Sequence, residues 1–135
     1  MTNKFSKQEK KVYFEKLRLD WQRSKALAKN DMKAEALYRE SGLKGVSYYS
    51  FHYVLKQLRA LKLKGLPYID CKTYHGWQTN GFKVKKGEKS KIKGITWLAV
   101  KEDGKMANQK DKKEDIKFLY PKIYSLFHKN QIEEL

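Results

Sequence analysis

Eleven basic residues fall between Lys56 and Lys93: Lys56, Arg59, Lys62, Lys64, Lys72, Lys83, Lys85, Lys86, Lys89, Lys91 and Lys93. Only two acids, Asp70 and Glu88, stand among them, so this stretch carries +9 of the chain's net +16. Tyr68, Tyr74, His75, Trp77 and Phe82 are interleaved with the cations. Cations track phosphates, and exposed rings stack on unpaired bases for about 1–3 kcal/mol per base, so the mixture suits a single-stranded nucleic acid. A run such as Lys83-Val84-Lys85-Lys86 is, by itself, the ordinary composition of a solvated face; the local concentration favours binding. The expected contacts are Lys56, Arg59, Lys72, Tyr74, His75, Lys83, Lys85, Lys86, Lys89 and Lys91. Trp77, Phe82 and Trp97 are expected in the core, because a small sheet domain needs large apolar groups to close. For Tyr74 and His75, in a polar stretch, stacking and a plain surface role both stay open.

Patterns for catalysis do not assemble. Gly81 to Ser90 reads GFKVKKGEKS and resembles a phosphate loop only in outline. A P-loop needs four residues between its glycines and then Gly-Lys-Ser/Thr, so that backbone amides and the lysine converge on phosphates. Here five residues separate Gly81 from Gly87, and Glu88 precedes Lys89. His52, His75 and His128 are far apart, with no H-E-x-x-H to place two imidazoles on one helical face. The single cysteine, Cys71, permits no internal disulfide and no cysteine-based zinc site. It has no obvious basic partner and reads as an inert, semi-buried thiol. No enzyme, metal or cofactor is expected.

The chain has 135 residues, the length of one domain, and 31 Lys plus Arg against 15 Asp plus Glu. With 40% hydrophobic and 13% aromatic residues it is too rich in core formers for a disordered chain. No run approaches the ~18 apolar residues of a membrane span, and no signal-peptide pattern opens the sequence. The expectation is a cytoplasmic protein with no membrane partner and a polyanionic one.

The elements that must position these residues change character half-way. Ser6 with Glu9 fits a capping box, after which Phe14, Leu17, Trp21 and Ala28 recur at helical spacing. Asp31 or Asn30 caps a second helix bearing Ala34, Leu37 and Tyr38, stopped by Gly42. Ser47 caps a third, with Phe51, Val54, Leu55, Leu58 and Leu61 as its apolar face and Gly65-Leu66-Pro67 as its end. Thr73 to Asn80 reads as a short helix closed by Gly81. Phe82 to Val84, Ile92 to Val100 and Ile116 to Phe127 read as strands. Pro121 marks an edge, a bulge or a break. Met1–Lys4 and Lys101–Lys113 read as loose, the latter as a loop. The fold class is α+β: N-terminal helices followed by a small antiparallel β-sheet, in a single domain.

Thr73-Tyr-His-Gly-Trp77-Gln-Thr-Asn-Gly81-Phe-Lys-Val84-Lys-Lys-Gly87-Glu88-Lys89 resembles the signature of the N-terminal domain of ArdC-type antirestriction proteins: Thr, Trp, Gly, then Val-x-Lys-Gly-Glu-Lys. Val46 to Phe51, Gly94 to Trp97, and Tyr120 to Gln131 resemble that family's other landmarks in the same order. The likeness spans about 46–135, with 6–41 as a helical N-terminal extension. It implies an α+β single-stranded DNA-binding domain of plasmids, phages and other mobile elements, often fused to a zinc metallopeptidase-like domain. The peptidase's H-E-x-x-H and the family's N-terminal Pro-Trp segment are missing from this sequence. The expected function is single-stranded DNA binding (RNA is the other candidate strand) in DNA protection, replication or transfer, alongside a replication or transfer protein. The alternative is an inhibitor of a host defence nuclease acting through protein or guide-RNA contacts.

Overall fold

The computed structural model describes residues 7–101 and 116–135. The expected Ser6 cap, Met1–Lys4 and nearly all of the Lys101–Lys113 loop lie outside them. Helices α1 (Lys7–Lys29), α2 (Met32–Ser41) and α3 (Tyr48–Ala60) come first. Then follow β1 (Cys71–Lys72), α4 (Tyr74–Thr79), β2 (Phe82–Val84), β3 (Ile92–Lys101), β4 (Ile116–His128), a 3-10 turn (Lys129–Gln131) and β5 (Ile132–Glu134). The class is α+β as expected. The sheet is two sheets, however: β1-β4-β3, and β2 paired with β5, all antiparallel. β1 and β5 are two and three residues long, too short for an alternating pattern to reveal them. The chain divides into two compact units, residues 1–53 and 54–135, with the division inside α3.

In the first unit, the stripe of α1 turns inward as its spacing requires. Ser24 and Ala28 are buried, and Phe14, Leu17 and Trp21 half-buried. Asp31, not Asn30, caps α2. Its Oδ1 accepts from the Ala34 amide at 3.0 Å, and its Oδ2 takes Nε2 of buried His52 at 3.0 Å. The Tyr48 hydroxyl donates to the Ala28 carbonyl at 2.6 Å and so ties the start of α3 to the end of α1. Gly42 ends α2 in the left-handed conformation.

Ser47 caps α3 by accepting from the Ser50 amide at 3.1 Å. Phe51, Val54, Leu55 and Leu58 are buried, but Leu61 is 44% exposed, against expectation. The helix has already ended. Lys62 takes φ +56, and the Leu63 and Lys62 amides reach back to the Leu58 and Arg59 carbonyls at 2.9 and 3.1 Å. This is a Schellman ending with lysine in the place glycine usually fills, ahead of the Gly65 signal.

The core of the second unit is Val54, Leu58, Cys71, Ile92 and Leu126, with Leu63, Tyr68 and Tyr124 packed against it. The outer edge of the Tyr124 ring lies over Gly94, where any Cβ would collide with it. Its hydroxyl meets that of Tyr68 at 2.7 Å. β4 is continuous through Pro121, which pairs with Trp97. β1 reaches only Phe127 and His128, so Pro121 sits where β4 has a single partner and a missing amide leaves no ladder bond unmade. The irregularity falls instead between Val100 and Lys101. Trp97, expected to be buried, is half-buried.

Candidate nucleic-acid interface

The site is built on α4, β2 and the turn after them. Thr73 caps α4 by accepting from the Gly76 amide at 3.0 Å. Trp77 then points inward: it is 5% exposed, donates Nε1–H to the Phe127 carbonyl at 2.8 Å, and meets Phe82 edge-on at 5.7 Å. That contact packs α4 onto β2. With Trp77 fixed, helical geometry turns His75, two residues earlier, to solvent; Tyr74, one turn before Trp77 at the first position of the helix, is 51% exposed. No hydrogen bond engages the side chain of either residue among the described residues. Their accessible faces are what stacking needs.

Beyond β2 the chain turns at Gly87, whose φ of +86 an L side chain would strain, and the Glu88 amide closes the turn on the Lys85 carbonyl at 3.1 Å. The turn is held from below by Gln131, 1% exposed. Its Nε2 donates to the Lys89 carbonyl at 2.7 Å and to Glu88 Oε2 at 3.1 Å, while its Oε1 accepts from the His128 amide at 3.0 Å. The Lys85 amide donates to the Gln131 carbonyl at 2.9 Å. Ser90 Oγ adds a bond to the Leu126 carbonyl at 2.8 Å. His128 anchors the other side, donating Nε2–H to the Lys64 carbonyl at 2.6 Å while Nδ1 accepts from the Asn130 amide at 3.2 Å. One donating and one accepting nitrogen is the pattern of a neutral imidazole. Neither His128 nor Gln131 was among the expected site residues. The available signal was His128-x-x-Gln131 directly after a strand, a capping box with histidine in the serine position.

The expected contacts divide by what already holds them. Lys72 is half-buried, donates to the Tyr68 carbonyl at 3.0 Å and sits 5.7 Å over the Trp77 ring. Lys83 faces Glu133 at 3.7 Å across the β2–β5 pair, and Lys85 reaches the Asn130 carbonyl at 3.4 Å. Lys56 and Arg59 stand on α3, away from the turn in sequence. Lys86, Lys89 and Lys91 are exposed and hold no ion pair among the described residues. The two acids of the basic stretch are held elsewhere: Glu88 by Gln131, and Asp70 by the Leu66 amide at 2.6 Å and Lys129 at 3.5 Å. Tyr68 is no free ring. Burial and its bond to Tyr124 push its hydroxyl pKa well above the usual value. Cys71 is fully buried, and burial, with Asp70 beside it, pushes its thiol up to about 12.

No described helix is long and apolar enough to cross a membrane. No family model, no curated protein and no solved structure matches this chain.

Proposed function

We propose that the chain binds single-stranded nucleic acid, with DNA as the leading candidate, through the face formed by α4 and the Lys85–Lys91 turn. One observation carries this reading: two accessible rings on a helix locked by a buried tryptophan, joined by a three-residue strand to a pinned turn in which Lys86, Lys89 and Lys91 hold no ion pair among the described residues. Trp77 packs α4 against Phe82, and the four steps from Phe82 to Lys86 span at most about 13 Å, so the cations follow closely on the element that holds the ring-bearing helix. Tyr74 and His75 stack on bases, and Lys86, Lys89 and Lys91 contact phosphates. Because the turn is already ordered, little conformational entropy is lost when phosphates dock. The resemblance to the ArdC N-terminal domain supports the same ligand. It extends the proposal to a role in protecting or transferring the DNA of a mobile element.

The test is the salt dependence of oligo-dT binding. Each phosphate contact on a single strand contributes about 0.7 to the slope of log K against log salt. Replacing Lys86, Lys89 and Lys91 together by Gln is expected to reduce the slope by about 2. An unchanged slope in a folded variant would mean these lysines are only solvated.

A further inference from the structure

Helix α1, in the other unit, carries a second basic surface. At about 100° per residue, Lys7, Lys11, Arg18, Gln22, Lys25 and Lys29 fall within one sector about 60° wide. No other α1 residue falls in it. Of the three acids of α1, Glu9 and Asp20 stand diametrically opposite, and Glu15 lies just outside. The cations of the sector are exposed except Lys25, which is half-buried with its Nζ 5.3 Å from the Tyr49 ring centre. Five of the eight basic residues of α1 thus share a sixth of its circumference. A helix that only kept itself soluble would spread them over the whole exposed arc. The arrangement also works against the helix, because Lys7–Lys11 and Lys25–Lys29 are like-charge pairs four residues apart.

We infer that this flank is a phosphate track for the nucleic-acid backbone. At 1.5 Å per residue it runs for about 33 Å, long enough for several phosphates. It offers charge and an amide but no exposed ring, so it reads backbone and not bases, and it takes duplex and single strand alike. It therefore goes beyond the single-strand face of the other unit, which it supplements without sharing its selectivity. A lipid surface fits the flank less well. A helix lying on a membrane presents a continuous apolar face to the acyl boundary, whereas the exposed apolar residues of α1, Val12, Leu19 and Leu27, are interleaved around the helix with Lys16, Arg23 and Glu9.

The experiment titrates the full chain with duplex DNA and with oligo-dT over a range of salt. It compares wild type with a variant carrying Lys7→Gln, Lys11→Gln and Lys29→Gln, which keep helix propensity. At about 0.9 per contact on duplex and 0.7 on single strand, the slope is expected to fall by about 2 to 3 and by about 2. A second variant, Gln22→Lys, adds a sixth cation and is expected to raise the duplex slope by about 0.9 with helical circular dichroism unchanged. Unchanged slopes in both variants would overturn the inference. So would variants that bind DNA as wild type does but lose binding to phosphatidylserine vesicles. The Lys86, Lys89 and Lys91 variant separates the two ideas. If oligo-dT binding ignores that variant but follows the α1 variants, the single-strand face fails and the α1 track stands; the reverse outcome removes the track alone.

Discussion

Trp77 and Tyr74 are three residues apart on one short helix and are expected to answer substitution in opposite ways. Trp77→Ala removes a buried ring and strands the Phe127 carbonyl, so it should destabilise the fold by about 3–5 kcal/mol, read as a large drop in Tm. Tyr74→Ala removes an exposed ring and should leave Tm within a degree or two. It should weaken oligo-dT binding by about 1–3 kcal/mol and change duplex binding little. The reversed pattern would exchange their roles. Trp97→Ala should cost less than Trp77→Ala, because Trp97 is half-buried in the β3–β4 ribbon. Cys71 makes a prediction of the opposite kind. Its proton is held in the fold up to about 12 but released near the ordinary thiol range, about 8.5, once unfolded. Between those values the native state binds more protons than the unfolded state, so stability declines as pH rises through that window. Native protein at pH 8 should resist alkylation and react only after denaturant is added. Fast alkylation of native protein would contradict the buried assignment.

At the scale of elements, much of the chain was legible. Three helices, the Ser47 cap, a cap at Asn30 or Asp31, the Gly42 stop and the two long strands follow from periodicity and end signals. What escaped has physical causes. Lys62 occupies a left-handed ending that the residue type does not announce, so the apolar periodicity of α3 runs on past its real end to Leu61. Tyr68 stands among the cations in sequence, yet its contact is Tyr124, 56 positions away, made possible by Gly94. The rings and lysines of the interface were visible as types. Which lysines remain unpaired was not, because Glu133, Asn130 and Lys129 come from the far end of the chain. Gln131 was missed for the same reason. Its amide is the link between the 3-10 turn and the basic turn, so Gln131→Ala should lower hydrogen-exchange protection at residues 86–91 while Ile95 and Leu126 stay protected. It should also weaken oligo-dT binding severalfold with the salt slope unchanged, since the cations remain and only their order is lost. Full protection of the turn in that variant would show that Gln131 does not position it.

At the scale of the whole molecule, the proposed reading draws affinity for polyanions from the charge but no choice among them. Counterion release is indifferent to whether bases are paired, so +16 alone would bind duplex and single strand on nearly the same terms. In the proposed reading selectivity comes from Tyr74 and His75, whose exposed faces unpaired bases can reach and stacked ones cannot. The most direct measurement is fluorescence anisotropy of the wild-type chain with labelled oligo-dT and with a duplex of equal length, at one moderate salt concentration. Stacking of even one base at about 1.4 kcal/mol corresponds to a factor of ten, so oligo-dT should bind about tenfold tighter or more. Equal affinity for the two forms would contradict the single-strand assignment and leave a protein that recognises phosphate alone.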